Sequence, residues 1–126
     1  MYLKLYKNAW FARFARKENI SAAALWEAID RANQGQVDAD LGSGVIKQRI
    51  ARSGGGKSSG YRGIVLYRKD QRAFFVFGFA KSSVGNIRPD EEALFKKMAK
   101  AVLVLSEAQI ERLLESGQFE EESRDG

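Results

Sequence analysis

Three consecutive strand-like runs decide the fold of this chain: VIKQRIAR (residues 45–52), YRGIVLYR (61–68) and AFFVFGFA (73–80). β-Branched and aromatic residues dominate all three runs, which is typical of strands. The link KDQR (69–72) is short enough for a hairpin, whereas SGGGKSSG (53–60) is a long, flexible connection. The sequence therefore predicts an antiparallel meander.

Before the meander, the spacing of apolar residues is helical. A short alternating strand over 2–6 leads into a helix over 10–16, for which Asn8 is a suitable N-cap. A second helix is predicted over 22–33, with Ser21 as its N-cap. These two helices form a helical hairpin.

Helical patterns also follow the meander. After Pro89, Asp90 can cap a helix over 91–103. Ser106 and Gln109 form a capping box for a last helix over 107–116. The predicted fold class is therefore α+β, made of a helical hairpin, an antiparallel meander and further helices at the C-terminus.

Length and composition limit the architecture and the chemistry. The chain has 126 residues, of which 44% are hydrophobic, and we expect one domain over 1–117 followed by a flexible acidic tail over 118–126. Because it has no Cys and no His, thiol nucleophiles, Ser-His triads and almost all zinc sites are excluded. No apolar stretch is long enough to span a membrane and no secretory signal is recognisable, so we expect a soluble cytoplasmic protein.

Charge is distributed unevenly along the chain. Residues 1–89 carry a net charge of +10, whereas residues 90–126 carry −5. Within 41–72, Asp70 is the one anion among eight cations, which are Lys47, Arg49, Arg52, Lys57, Arg62, Arg68, Lys69 and Arg72. A cluster of this kind attracts polyanions, above all the phosphates of RNA or DNA.

Strand geometry places part of this cluster on one surface. Residues two apart on a strand share a face about 7 Å apart, so Lys47 and Arg49 point the same way, and Arg62 can join them from the next strand. Three cations on one surface repel each other unless an anion binds, and a phosphodiester is the obvious candidate. A merely solvated sheet face is the alternative.

The run Ala51–Ser58 satisfies a loose phosphate-binding-loop pattern. A loop of that type leads from a parallel strand into a helix, whose N-terminal amides face the phosphates. Here a strand-like run follows Ser58, so we expect a hairpin loop in which Lys57 can reach a phosphate.

Taken in order, the basic strand GVIKQRIAR (44–52), the run GKSSGYR (56–62) and the aromatic strand end FGFAK (77–81) resemble the RelE/ParE superfamily of bacterial type II toxins, in its RelE and HigB-like branch. The resemblance covers roughly 2–115. It implies a fold with two N-terminal helices packed on a twisted antiparallel sheet. It also implies a toxin that cuts mRNA on the 70S ribosome by activating a ribose 2′-hydroxyl against the adjacent phosphate. It implies a cognate antitoxin as partner, and neither a cofactor nor a metal.

The resemblance also assigns roles. Lys47 and Arg49 match the paired basic residues of the second strand, with Lys47 as the base. Arg62 matches the arginine that stabilises the transition state, and Lys81 matches the basic end of the last strand. Arg52, Lys57, Tyr61 and Arg68 are predicted RNA contacts.

The sequence departs from the family pattern at two places. Ser82 stands where many relatives have arginine, and residues 83–87 lack the usual tyrosine or histidine. The general acid and the base-stacking partner are therefore unassigned. A ParE-like gyrase inhibitor and a non-catalytic RNA- or ribosome-binding regulator of the same fold are the alternative functions.

Overall fold

The computed structural model describes residues 3–51, 60–81 and 86–124. Within these residues the chain is α+β, as predicted, and forms six strands and four helices. In chain order they are β1 (Lys4–Asn8), α1 (Ala9–Lys17), α2 (Ala22–Asn33), β2 (Ala39–Gly42), β3 (Val45–Ile50), β4 (Tyr61–Arg68), β5 (Arg72–Ala80), α3 (Pro89–Val102), α4 (Glu107–Glu115) and β6 (Phe119–Glu122).

The strands form one mixed sheet in the order β2-β3-β4-β5-β1-β6. The meander β3-β4-β5 is antiparallel, as predicted, but β1 lies parallel to β5. The prediction of a wholly antiparallel sheet is therefore wrong. The chain leaves β1 through α1 and α2 and re-enters the sheet at the far edge. The meander then returns to β1, where β5 runs in the same direction as β1.

Two apolar layers enclose the sheet. On one face, Phe11 of α1 and Ile29 of α2 are fully buried against Ile50 and Phe75. On the other face, Phe95 of α3 and Ile110 of α4 belong to a second cluster with side chains of β3, β4 and β5. Because β5 is buried on both faces, its sequence is almost continuously apolar instead of alternating.

Helix starts follow the predicted capping chemistry at three places. Oδ1 of Asn8 accepts the Phe11 N–H at 2.8 Å, and Oγ of Ser21 accepts the Ala24 N–H at 3.1 Å. Ser106 and Gln109 form the predicted capping box of α4.

α3 begins at Pro89, two residues before the predicted start, with Arg88 instead of Asp90 as N-cap. Proline suits the first helical position because its fixed φ is helical and its missing N–H would have no helical partner.

The C-terminal segment was expected to be a flexible tail, but Phe119–Glu122 form β6, antiparallel to β1. Phe119 is buried, with its ring centroid 5.2 Å from that of Phe74. The acidic side chains of β6 face basic ones, since Lys7 Nζ lies 2.8 Å from Glu122 Oε1. Apolar contact and charge pairing therefore hold this segment at the sheet edge.

None of the helices in the described part of the chain is long and apolar enough to cross a membrane.

Candidate functional site

The candidate site is a cationic face at one end of the meander. Arg49 of β3 and Arg62 of β4 are directly opposite each other in the antiparallel register, and Lys47 lies two positions from Arg49 on β3. Directly opposite residues have Cβ atoms about 5 Å apart, so the two guanidinium groups start from neighbouring points. We call Lys47, Arg49 and Arg62 the cationic face.

The intervening β3 residues point the other way, which fixes the orientation of this face. Ile46 and Ile50 are buried in the cluster beneath α1 and α2, and Gln48 is fully buried between them. Since neighbouring strand residues point to opposite sides of a sheet, Lys47 and Arg49 lie on the side where α3 packs.

The same face continues into aromatic residues on β5. Phe79 is opposite Arg62, and Phe77 is opposite Ile64, which in turn is opposite Lys47. Phe77 and Phe79 pack against the α3 cluster. The cationic face therefore lies beside a packed apolar surface formed by Phe77 and Phe79.

Lys47 is half-buried, and a hydrogen bond to Asn86 fixes the end of its side chain. Its Nζ donates a hydrogen bond to Oδ1 of Asn86 at 3.0 Å. The same oxygen accepts the Ile87 N–H at 2.9 Å, which orients the amide group. The segment leading into α3 thus holds the end of the Lys47 side chain.

Arg49 is held by Asp38, which lies just before β2. Oδ2 of Asp38 accepts the Arg49 backbone N–H at 2.7 Å, and Oδ1 lies 3.5 Å from Arg49 Nε. Burial disfavours the charged form of Asp38. The hydrogen bonds from the Arg49 amide and the Arg31 side chain, with the charges of both arginines, outweigh this effect and lower the pKa of Asp38.

Arg62 and Lys81 make no ion pair within the described part of the chain. Arg62 donates from NH1 to the backbone oxygen of Tyr61 at 3.4 Å. Lys81 follows β5 directly, is exposed, and donates its backbone N–H to the carbonyl of Gly60 at 3.4 Å. Both charges are therefore at the same end of the β4–β5 ladder.

Tyr61, another predicted RNA contact, does not lie on the cationic face, and its contact with RNA stays a prediction. Its side chain is 4% exposed in the cluster beneath α1 and α2, and its hydroxyl lies 2.9 Å from Glu18 Oε1. Alternation explains this placement, because Tyr61 immediately precedes Arg62 and must point to the opposite side.

Arg68, also a predicted RNA contact, lies at the far end of β4. It lies six positions from Arg62, which is about 20 Å along a strand. Its NH1 donates to the carbonyl of Leu103 at 3.0 Å, at the C-terminus of α3. This contact ties the exposed Arg68 side chain to the end of α3, and its contact with RNA stays a prediction.

Arg52 and Lys57 lie outside the described residues. The segment that contains them joins β3 to β4, which are antiparallel neighbours. This connection differs from the strand-to-helix context of a nucleotide-binding loop, and supports the rejection of that interpretation.

Asp38 contacts Arg49, Asn86 contacts Lys47, and Gln48 contacts Asp38, but sequence reasoning missed all three. Only Gln48 had a usable signal, because a polar residue between buried isoleucines on a strand predicts a specific polar partner. Within the described ranges, no group of three Asp or Glu side chains is placed to bind a metal ion.

The fold and the cationic face together define a class, namely a small α+β protein that carries a cluster of basic side chains on its sheet. A family model described as "RelE toxin of RelE / RelB toxin-antitoxin system" matches residues 3–121. The chain belongs to this family of toxins. No curated protein matches the chain.

Proposed function

We propose that this protein is a ribosome-dependent endoribonuclease that cleaves mRNA and is kept inactive by a cognate antitoxin. Membership of the RelE toxin family supports the toxin and antitoxin parts of the proposal. The single observation that carries the nuclease part is the register of β3 and β4, which sets Arg49 opposite Arg62 with Lys47 two positions away. The proposed partners are the antitoxin, mRNA and the ribosome, and the proposed location is the cytoplasm.

The chemistry requires a base, a binding site for the phosphate and a proton donor. Lys47, in its neutral form, takes the proton of the ribose 2′-hydroxyl. The 2′ oxygen then attacks the adjacent phosphorus, and the bond to the 5′ oxygen breaks. The products are a 2′,3′-cyclic phosphate and a 5′-hydroxyl end, so no water is consumed and no metal is required.

The two arginines suit the charge that develops on the phosphate. A guanidinium stays protonated at all relevant pH values and binds two phosphate oxygens at once. Arg49 and Arg62 approach from neighbouring strands, so they can bind one phosphate from two directions and stabilise its transition state. The leaving 5′ oxygen needs a proton, and the proposed donor is Lys81, whose backbone N–H bonds the carbonyl of Gly60 at the end of the β4–β5 ladder where Arg62 lies.

The test is cleavage of a defined mRNA bound to purified ribosomes, mapped by primer extension. We expect the wild-type protein to produce new 5′ ends, and Lys47→Ala and Arg62→Ala to lower the rate by about 100-fold or more. Lys97→Ala is the matched control, because Lys97 is exposed on α3. Intact mRNA with the wild-type protein would contradict the nuclease proposal. If the protein cleaved no mRNA but still arrested the growth of cells that express it, a gyrase inhibitor or a non-catalytic ribosome binder would become the better proposal.

A further inference from the structure

Asp38 forms two contacts with Arg49 across eleven positions of sequence. One carboxylate oxygen accepts the Arg49 N–H at 2.7 Å, and the other lies 3.5 Å from Nε of the same residue. Among the described residues, this is the one carboxylate that forms an ion pair with the cationic face.

Asp38 is itself fixed from the interior. Its backbone N–H donates to Oε1 of Gln48 at 2.6 Å, and Nε2 of this fully buried glutamine donates to the carbonyl of Ala28 at 2.9 Å. A buried amide with both ends engaged has little freedom to move. Gln48 therefore ties Asp38 to α2.

Arg31 of α2 holds the carboxylate from a third direction. Its NH1 donates to Oδ2 of Asp38 at 3.3 Å, and its NH2 donates to the carbonyl of Arg49. Its Nε is 2.8 Å from Oε2 of Glu27, so Arg31 is oriented as well. The carboxylate that faces Arg49 thus belongs to a connected network anchored on a helix.

From this network we propose that Asp38 is a positioning residue that orients Arg49 for phosphate binding. The role rests on the proposed nuclease function. An arginine side chain has many rotamers, and an ion pair at Nε restricts them while its two terminal nitrogens remain available for a phosphate. One carboxylate among several cations orients the guanidinium without cancelling the attraction for an anion.

A purely structural role for Asp38 makes a different prediction. If Asp38 only secured the chain before β2, its replacement would lower activity by the same factor whether or not residue 49 were arginine. If it acts through Arg49, its replacement has no further effect once Arg49 is removed, because mutations that act through one contact are not additive.

The experiment is a double-mutant cycle of Asp38→Asn, Arg49→Ala and the double variant, with single-turnover cleavage of ribosome-bound mRNA as readout. We expect Asp38→Asn to lower the maximal rate roughly tenfold with little change in KM, and to add nothing in the Arg49→Ala background. Asp40→Asn is the matched control, since Asp40 lies on β2 and accepts the Gly42 N–H at 2.9 Å. Additive effects, or no effect of Asp38→Asn, would overturn the proposal.

A second measurement separates this inference from the proposed function. Nitrogen-15 NMR of arginine Nε–Hε groups reports the order of each guanidinium without any substrate. We expect the Arg49 signal to lose order in the Asp38→Asn variant, with the Arg62 signal unchanged. If the Arg49 signal did not change, the positioning role would be wrong. If the Arg49 guanidinium lost order in the Asp38→Asn variant but the wild-type protein did not cleave mRNA, the nuclease function would be wrong while the positioning of Arg49 would stand.

Discussion

The Nζ atom of Lys47 lies 3.0 Å from Oδ1 of Asn86, so an amide oxygen from the segment before α3 accepts a hydrogen bond from the side chain proposed as the base. The contact joins two parts of the chain 39 residues apart. A neutral acceptor can orient the Lys47 amine without adding a charge that would hold its proton in place.

The first prediction concerns this neutral acceptor. Asn86→Asp places a carboxylate beside Lys47 and favours its protonated form, so we expect slower mRNA cleavage and a rising limb of the pH–rate profile displaced to higher pH. Asn86→Ala should lower the rate without that displacement. Gln71→Glu is the control, because Gln71 lies at the β4–β5 turn at the other end of the sheet. An Asn86→Asp protein with the wild-type profile would contradict the expected role of the contact.

The second prediction separates two arginines that donate to backbone carbonyls in the link between α3 and α4. Arg72 is largely buried, and its NH1 donates to the carbonyl of Leu105 at 2.7 Å, whereas Arg68 contacts Leu103 from an exposed position. We expect Arg72→Ala to lower the free energy of unfolding by about 2 kcal/mol and Arg68→Ala by about 1 kcal/mol. Urea unfolding measures both. Arg68→Ala should leave the rate of mRNA cleavage unchanged. A large loss of cleavage activity in this variant would instead support the predicted contact of Arg68 with RNA.

The third prediction concerns β6. Phe119→Ala removes a buried ring from contact with Phe74, so we expect the free energy of unfolding to fall by about 3 kcal/mol, measured with urea. Val104→Ala is the control, because Val104 is 70% exposed, and it should change stability by less than about 0.5 kcal/mol. If Phe119→Ala were as stable as the wild-type protein, β6 would contribute nothing to the fold, as expected of a flexible tail.

The fourth prediction is a pH dependence of stability at alkaline pH. Burial, with the negative charge of Glu121, raises the pKa of Tyr6 to about 12, from a usual value of 10.0. Because the folded state keeps this phenol neutral while the unfolded state ionises it, its contribution to stability is complete below pH 10.0 and is lost as pH rises toward 12. Between pH values of about 9 and about 11, the free energy of unfolding measured with urea should therefore fall less for Tyr6→Phe than for the wild-type protein. Equal losses would contradict the assignment.

Local signals in the sequence were sufficient for much of the fold. Capping residues marked the starts of α1, α2 and α4, and β-branched and aromatic runs marked the meander, since these effects act over a few neighbouring residues. The parallel pairing of β1 with β5 and the pairing of β6 with β1 depend on where the chain re-enters the sheet. Short-range patterns do not contain that information.

The sequence likewise predicted one part of the candidate site and could not predict another. Alternation on β3 predicted that Lys47 and Arg49 share a face, and the same rule applied to β4 separates Tyr61 from Arg62. The contacts of Asp38 and Asn86 could not be predicted, because they arise from loops that approach β3 over 11 and 39 positions.

The most direct test of the central claim is a single-turnover cleavage measurement on ribosome-bound mRNA that carries one 2′-deoxy nucleotide on the 5′ side of the cleavage site. If the cationic face activates the ribose 2′-hydroxyl, the all-ribose mRNA is cut to a 2′,3′-cyclic phosphate and a 5′-hydroxyl end, and the substituted mRNA stays intact at that position. Cleavage of both mRNAs at equal rates, or products with 5′-phosphate ends, would contradict the account.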